Sequence, residues 1–126
     1  MRVVVITGSR DWKATRPIQL ALVGANLVIH GGARGADALA EAAAAYLQID
    51  TLVMRARWSS KGGSAGPERN ERMAQKAREL MDAGHDVECF AFPAPYSVGT
   101  WDCVRRMKAH GVLTTVYGAE QQREVR

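Results

Sequence analysis

The fold of this chain is decided by the stretch Val28-Ile29-His30-Gly31-Gly32-Ala33-Arg34-Gly35-Ala36-Asp37. An apolar strand ends here in three glycines and an arginine, and an Ala-rich helix predicted from Ala36 to Leu47 follows directly. Glycines let backbone N–H groups turn toward a ligand, and a helix N-terminus adds unpaired N–H groups and the positive end of its dipole. Strand, glycine turn and helix in this order predict a phosphate-binding loop.

Two charged side chains and a histidine belong to this loop. Arg34 offers a planar fork of donors that suits phosphate or carboxylate. Asp37 lies in the first helical turn, where a carboxylate favours the helix dipole but repels a nearby phosphate, so we expect it to cap backbone or to bind a ribose hydroxyl. His30 is a candidate phosphate donor, although a lone histidine at a strand end is more often structural. The glycines alone are equally consistent with a plain tight turn.

Length and composition predict one small domain. The chain has 126 residues and a mass of 13.7 kDa, which suffices for a single core but not for a separate catalytic lobe. No run approaches the roughly 18 consecutive apolar residues of a membrane span, and the chain starts with a strand instead of a leader, so we expect a cytoplasmic protein without a membrane partner. Cys89 and Cys103 have no metal-ligand spacing, and neither a metal site nor a cofactor is predicted.

The charge distribution argues against a nucleic-acid partner. A net charge of +4 and a pI near 9.4 would permit such binding. The basic residues are scattered among acids, however, as in residues 68–72 and 75–79, and aromatic residues make up only 6%, so no row of stacking side chains accompanies a basic stripe. A mildly basic, solvated surface is the better interpretation.

Strand and helix patterns alternate along the chain. The predicted strands are 3–6, 27–29, 51–54, 87–92 and 112–116, and the predicted helices are about 17–23, 36–47, 67–81 and 100–110. Strands that are apolar on both faces and separated by helices predict an α/β fold, a single-domain Rossmann-like three-layer sandwich with a mostly parallel five-stranded sheet. The domain is expected to span residues 1–118, followed by a polar tail at 119–126.

The unusual residues of the chain gather in the segments that follow strands, which are 8–10, 31–35, 58–66 and 93–100. In an open parallel sheet these segments meet at the carboxyl edge, where such folds bind ligands. We therefore expect three further residues to join the glycine loop in one site: Gly8, Ser9 and Arg10.

Helical projection adds two polar groups to the same cleft. The third predicted helix has an apolar stripe that includes Met73 and Ala77, and at about 100° per residue Arg69 and Asn70 fall at the N-terminal end of that stripe. An inward-facing arginine beside glycine loops favours a ligand contact over a surface role.

The same projection separates two neighbours on the last predicted helix. Cys103 falls on the inward face with Met107 and is expected to behave as a buried, small hydrophobe. Asp102 lies about 140° from Met107 and is expected to point away from the cleft.

Three tryptophans lie in or beside strand-following segments. An indole there can stack on a base or cover the end of the core. Trp12 and Trp58 are open between these roles, whereas Trp101 is expected to pack in the core or as a lid.

Three ordered motifs carry a family resemblance: HGGARG at 30–35, GPERNERM at 66–73 and SVGT at 97–100. Together they resemble the SLOG superfamily of Rossmann-like nucleotide-binding proteins, which includes the Lonely-guy phosphoribohydrolases and the DNA-processing protein A group. The opening Gly8-Ser9-Arg10-Asp11-Trp12 is most similar to the small YspA-like branch of bacteria and phages. The resemblance covers nearly the whole chain. It implies a nucleotide or nucleoside phosphate as ligand, phosphate loops at 31–37 and at Gly99-Thr100, and a homodimer or higher homo-oligomer.

The chain departs from this resemblance at one functional position. In the phosphoribohydrolases an Arg-Lys-x-x-Met stretch supplies a functional arginine, which Arg69 matches, with Asn70 in place of the lysine and Met73 in register. Their second signature ends in a catalytic glutamate, and Cys103 occupies that position here. Cleavage of an N-glycosidic bond needs a carboxylate, which a buried thiol does not replace.

The leading hypothesis is a small protein that binds a nucleotide or nucleoside phosphate and acts as a sensor, carrier or sequestering module. One alternative is a nucleoside 5′-monophosphate phosphoribohydrolase, an N-glycosidase of the Lonely-guy type in which Arg69 serves catalysis. A second alternative is a DNA-binding accessory protein, supported by the basic pI and by the DNA-processing relatives. The predicted ligand-binding residues are Gly8, Ser9, Arg10, His30, Gly31, Gly32, Arg34, Gly35, Ala36, Asp37, Arg69, Asn70, Gly99 and Thr100.

Overall fold

A computed structural model describes residues 1–118 of the chain; the polar tail predicted at 119–126 lies outside the described residues. The strands are β1 (Arg2–Gly8), β2 (Leu27–His30), β3 (Asp50–Val53), β4 (Asp86–Phe92) and β5 (Leu113–Val116). The helices are α1 (Thr15–Ala21), α2 (Ala36–Leu47), α3 (Trp58–Lys61), α4 (Ala65–Asp82) and α5 (Val98–Ala109), with a 3₁₀ turn at Gly62–Ser64. Within residues 1–118, no helix has the length and apolar character needed to cross a membrane.

The five strands form one parallel sheet in the order β3-β2-β1-β4-β5. Val5 at its centre pairs with Ile29 of β2 and Cys89 of β4. This architecture confirms the predicted Rossmann-like sandwich, and every pairing in the sheet is parallel. The chain moves outward from β1 to β3 on one side and then crosses to β4, so the direction of winding reverses between β1 and β4. That point is the topological switch point of the sheet.

Two apolar layers bury the two faces of the sheet. Val4 and Ile6 of β1 pack with residues of α1 and α2, whereas Val3 and Val5 pack with residues of α4 and α5. Since side chains alternate along a strand, one continuous apolar strand supplies both layers.

Three helices begin two residues earlier than the sequence predicts: α5 begins at Val98 instead of Thr100, and the other two were predicted to begin at a proline. Pro17 and Pro67 were expected at the first position of their helices, but α1 begins at Thr15 and α4 at Ala65, which places each proline third. The first four N–H groups of a helix have no partner within the helix, so a proline is tolerated throughout the first turn. The segment 58–66, expected to be nonhelical, contains α3, the 3₁₀ turn and the start of α4.

Candidate functional site

A cavity of about 560 Å³ opens at the switch point, between the segments that follow β1, β2 and β4 and the N-terminal end of α4. This is the edge at which the sequence predicts a ligand. Nine of the predicted residues line it: Gly8, Ser9, Arg10, Gly31, Asp37, Arg69, Asn70, Gly99 and Thr100. Gly32 and Arg34 line a neighbouring cavity of about 400 Å³. Three predicted residues lie in neither cavity: His30, Gly35 and Ala36.

Three backbone N–H groups of the glycine loop and of the start of α2 donate hydrogen bonds within the protein. Oδ2 of Asp37 accepts hydrogen bonds from the N–H groups of Gly31 and Ala33, both at 3.2 Å. The N–H of Ala36 donates to the carbonyl oxygen of Ser9 at 3.1 Å. Asp37 thus caps the backbone of the loop, which is one of the two roles expected of it. Phosphate binding by the loop stays a prediction.

His30 fixes the loop and has no ring nitrogen left for a ligand. Its Nδ1 accepts the N–H of Gly32 at 3.0 Å, and its Nε2 is 2.7 Å from Oε1 of Glu41. The side chain is only 2% exposed. His30 is therefore a structural residue, as a lone histidine at a strand end more often is, and both of its ring nitrogens are occupied by protein groups.

Gly8 and Gly35 are required by packing. A Cβ on Gly35, whose φ is +72°, would overlap the carbonyl oxygen of Ser9 and lie 2.6 Å from that of Arg10. A Cβ on Gly8 would lie 2.9 Å from the carbonyl oxygen of Phe92. Gly35 thus lets the loop that follows β2 contact the loop that follows β1, and Gly8 lets the end of β1 lie close to the end of β4.

Asp37 is the buried acid of the site. It is 5% exposed, and its Oδ1 has no hydrogen-bond partner among the described residues. Burial raises the pKa of the Asp37 carboxyl, although the loop N–H groups, His30 and Arg69 oppose the rise. An unpartnered buried oxygen beside a cavity is a position at which a ligand hydroxyl or N–H can donate.

Arg69 and Asn70 face the cavity, as the helical projection predicts. Nη1 of Arg69 donates to the carbonyl oxygen of Gly31 at 2.8 Å, and its Nε donates to Oδ1 of Asn70 at 3.1 Å. Nδ2 of Asn70 donates to the carbonyl oxygen of Gly99 at 3.1 Å and to Oδ2 of Asp102 at 3.0 Å. Asn70 thus ties the arginine to the N-terminal end of α5.

The prediction that Asp102 points away from the cleft is wrong. Asp102 lines the cavity, and its Oδ2 accepts from Nε of Arg106 at 2.9 Å as well as from Asn70. Burial alone would raise the pKa of Asp102, but these two hydrogen bonds outweigh it and hold the pKa below its ordinary value. The site therefore contains a carboxylate that stays ionised, which the sequence comparison with the phosphoribohydrolases does not predict.

The N-terminal end of α5 presents uncapped N–H groups to the cavity. Ser97 makes no side-chain cap, because its hydroxyl accepts the N–H of Ala94 at 2.8 Å. Gly99 and Thr100 lie in the first turn, where the helix offers their N–H groups no acceptor. Below them Cys103 is fully buried, as predicted, and burial raises the pKa of its thiol to about 11.

The three tryptophans have three different environments. Trp12 is 3% exposed and packs edge-on against Phe92, with its indole N–H donating to the carbonyl oxygen of Ala14. Trp58 is half-exposed and lines both cavities. Trp101 is 43% exposed and lines neither cavity, so the prediction that it packs in the core or as a lid is wrong.

Several residues of the two cavities were not among the predicted ligand-binding residues. Arg105 lines the first cavity beside Asp102, and Arg55 lines the second. A signal existed for Arg55, since it lies two residues after the end of β3 and therefore at the same sheet edge as the other loops. For Arg105 and Asp102 the sequence carries no such signal, because their exposure to the cavity depends on how α5 packs against α4.

A parallel sheet in the order β3-β2-β1-β4-β5 with a polar crevice at its switch point defines a Rossmann-like α/β protein. Comparison of sequences gives a closer relationship. The chain is 37% identical over 130 residues to the gene 61 protein of Mycobacterium phage D29, a match that covers 94% of this chain and 98% of that protein. The chain belongs to the family of this phage protein. No family model matches it.

Comparison of structures supports the same fold. DNA processing protein A (DprA) from Streptococcus pneumoniae superimposes with a TM-score of 0.53 at 16% sequence identity. The match covers 91% of this chain and 58% of that chain, so the protein spans somewhat more than half of the larger one. This structural match therefore supports the Rossmann-like fold of the chain.

Proposed function

We propose that the protein binds a nucleotide or nucleoside phosphate in the cavity at the switch point. The observation that carries this proposal is the position of the 560 Å³ cavity at the carboxyl edge, where cationic side chains and uncapped helix N–H groups meet a buried, unpartnered carboxylate oxygen. Such a ligand carries an anionic phosphate, which suits the cationic side chains and helix N–H groups, and hydroxyl or amine donors, which suit the carboxylate oxygen. A sensor, carrier or sequestering protein is the role that this binding supports best.

We assign different parts of the ligand to the two ends of the cavity. The phosphate group is assigned to Gly99 and Thr100, since their N–H groups are uncapped and Arg105 lies nearby. The sugar or base is assigned to the side of Asp37, because Oδ1 needs a donor and a phosphate there would be repelled. Of the two phosphate loops that the family resemblance implies, this assignment uses the one at Gly99 and Thr100.

The test uses Gly99, because a Cβ there meets nothing within 4 Å. Gly99→Glu adds an acid to the first turn of α5, which favours the helix dipole but repels a phosphate. We expect isothermal titration calorimetry with adenosine and guanosine 5′-monophosphates to show binding to the wild type and to Gly99→Ala, and a loss of at least about tenfold in Gly99→Glu. Equal affinity of all three proteins, or no nucleotide binding by the wild type, contradicts the proposal.

A phosphoribohydrolase is the second candidate, and the position of Asp102 favours it. In that reaction water adds to the anomeric carbon as the bond to the base nitrogen breaks, which yields the free base and ribose 5-phosphate; the carboxylate accepts the proton of the water, and the leaving nitrogen is protonated. The ionised Asp102 and the protonation-prone Asp37 lie in one cavity with Arg69. Release of free base from the monophosphates by the wild type, lost in Asp102→Asn, would establish this activity.

We also propose a finer placement of the protein. The opening motif of residues 8–12 supports the YspA-like branch of the SLOG superfamily. A cytoplasmic location and a homodimer accompany this placement. Size-exclusion chromatography with light scattering, without and with nucleotide, tests the oligomeric state.

A further inference from the structure

The second cavity, of about 400 Å³, is lined by four arginines and is called here the arginine cavity. The four are Arg10, Arg34, Arg55 and Arg69. Trp58 forms part of its wall, and the guanidinium of Arg10 lies 5.9 Å from the centre of that indole. The arginine cavity adjoins the proposed nucleotide cavity, since Arg10, Arg69 and Trp58 line both.

These four arginines differ from most others in the described chain. Within residues 1–118, six arginines have a carboxylate oxygen within 4.0 Å: Arg2, Arg57, Arg72, Arg78, Arg105 and Arg106. The arginines of this range that have none are the four of the arginine cavity and Arg16, which is exposed on α1. Four of the five arginines that no acid of residues 1–118 pairs at this distance thus converge on one cavity.

The protein holds part of this cluster in position without neutralising it. Nη1 of Arg55 donates to the carbonyl oxygen of Gly32 at 3.1 Å, and Arg69 is held by that of Gly31. Asp37 and Glu41, whose pKa values Arg69 and Arg55 respectively help to lower, are engaged elsewhere, because Asp37 binds the glycine loop and Glu41 binds His30. Each guanidinium carries five N–H donors, so most of them remain for a ligand. Like charges gathered in this way favour an anion of more than one charge.

The arginine cavity and the phosphate site assigned to Gly99 and Thr100 lie at the ends of different strands. Gly99 and Thr100 follow β4, whereas Arg34 follows β2 and Arg55 follows β3. Since β1 lies between β2 and β4, the strands that precede the two sites are two interstrand spacings apart in the sheet. Phosphates joined through one bridging oxygen are held close together, whereas phosphates on the 3′ and 5′ oxygens of one sugar lie further apart because the sugar separates them. Arg10 and Arg69, which line both cavities, are shared by the two sites.

We propose that the arginine cavity binds a second phosphate group, so that the ligand is a nucleoside bisphosphate or a dinucleotide with phosphates on two sides of one sugar. This inference rests on the proposed function and specifies its ligand class. Trp58, at the boundary of the two cavities, supplies an aromatic surface for the part of the ligand between the phosphates.

The test compares adenosine 5′-monophosphate, adenosine diphosphate and adenosine 3′,5′-bisphosphate by calorimetry at one ionic strength, with the guanosine series in parallel. We expect the bisphosphate to bind at least about tenfold more tightly than the monophosphate, and the diphosphate to gain much less. Arg34→Ala, and the double variant with Arg55→Ala, should remove this advantage and leave monophosphate affinity within a factor of about two. Arg16→Ala is the matched control, and circular dichroism verifies folding of each variant.

Three results contradict the inference, and they are distinguishable. Monophosphate binding without preference for the bisphosphate contradicts the second phosphate site alone. Equal weakening of both ligands by Arg34→Ala assigns that arginine to the first site. Absence of binding by every adenosine and guanosine phosphate contradicts the proposed function as well. If a single-stranded thymidine oligonucleotide then binds in a way that depends on these arginines, the arginine cavity is a nucleic-acid-binding site instead.

Discussion

Gly35 shows how closely two loops approach in building the site. Its φ of +72° with a ψ of −124° lies in a region that side-chain-bearing residues rarely adopt, and a Cβ would overlap the carbonyl oxygen of Ser9. The strain is about 2 kcal/mol, and displacing a packed backbone adds roughly 2 kcal/mol more. We therefore expect Gly35→Ala to lower the free energy of unfolding by about 4 kcal/mol, a large share of the roughly 5–15 kcal/mol of a small domain.

Gly24 is the matched control for this prediction. Its φ is +79°, but a Cβ there meets nothing within 4 Å. Gly24→Ala is expected to cost only the backbone strain, about 1–2 kcal/mol. Urea denaturation followed by circular dichroism measures both free energies of unfolding. Equal losses in the two variants would show that close packing of the loops that follow β1 and β2 contributes nothing, and would refute the packing role assigned to Gly35.

Three further predictions concern side chains of the site and the core. Burial raises the folded-state pKa of Asp37, so the stability that its protonated form contributes is fully present below the ordinary pKa of about 3.9 and is lost as pH rises through the folded pKa. The urea midpoint of the wild type should therefore fall relative to that of Asp37→Asn as pH rises through this window. A difference between the two midpoints that does not change with pH would contradict this prediction. Asn70→Ala should lower the free energy of unfolding by about 1.5–3 kcal/mol in the same assay, because it breaks three hydrogen bonds, two of them to charged groups; a loss under about 0.5 kcal/mol would oppose this. Burial raises the pKa of the Cys103 thiol to about 11 and that of Cys89 well above its usual value, so neither should react with a thiol reagent at pH 8 until the protein unfolds, and rapid labelling of the native protein would be inconsistent with the fold.

Sequence patterns predict this fold well because its local and global preferences agree. The helix predicted from Ala36 to Leu47 has these bounds in the structure, and each predicted strand matches an observed one within two residues at either end. A glycine turn ahead of an alanine-rich segment leaves little freedom in where that helix begins. The sheet order also follows the rule for open α/β folds, so the location of the cleft is predictable from strand order alone.

The orientation of Asp102 was not predictable, for a reason that lies in the packing of α5. Projection around one helix defines its inward face relative to the sheet. At its N-terminal end, however, α5 also packs against α4, and Asp102 there meets Asn70. A side chain turned away from the sheet is therefore still enclosed. The approach of two helices is a tertiary property that single-helix periodicity does not contain.

The hydrogen bonds between Asp37 and the glycine loop also determine how ligand binding changes the stability of the protein. By accepting N–H groups of Gly31 and Ala33 with Oδ2, Asp37 stabilises the loop while its Oδ1 stays buried and unpartnered. Such an oxygen costs about 1–3 kcal/mol of desolvation. A ligand that donates to Oδ1 and carries anions toward the arginines relieves both the unmet hydrogen bond and the repulsion among the cations. The free protein therefore retains unfavourable terms that binding removes, which is the arrangement expected of a protein selected to hold its ligand rather than for maximal stability alone.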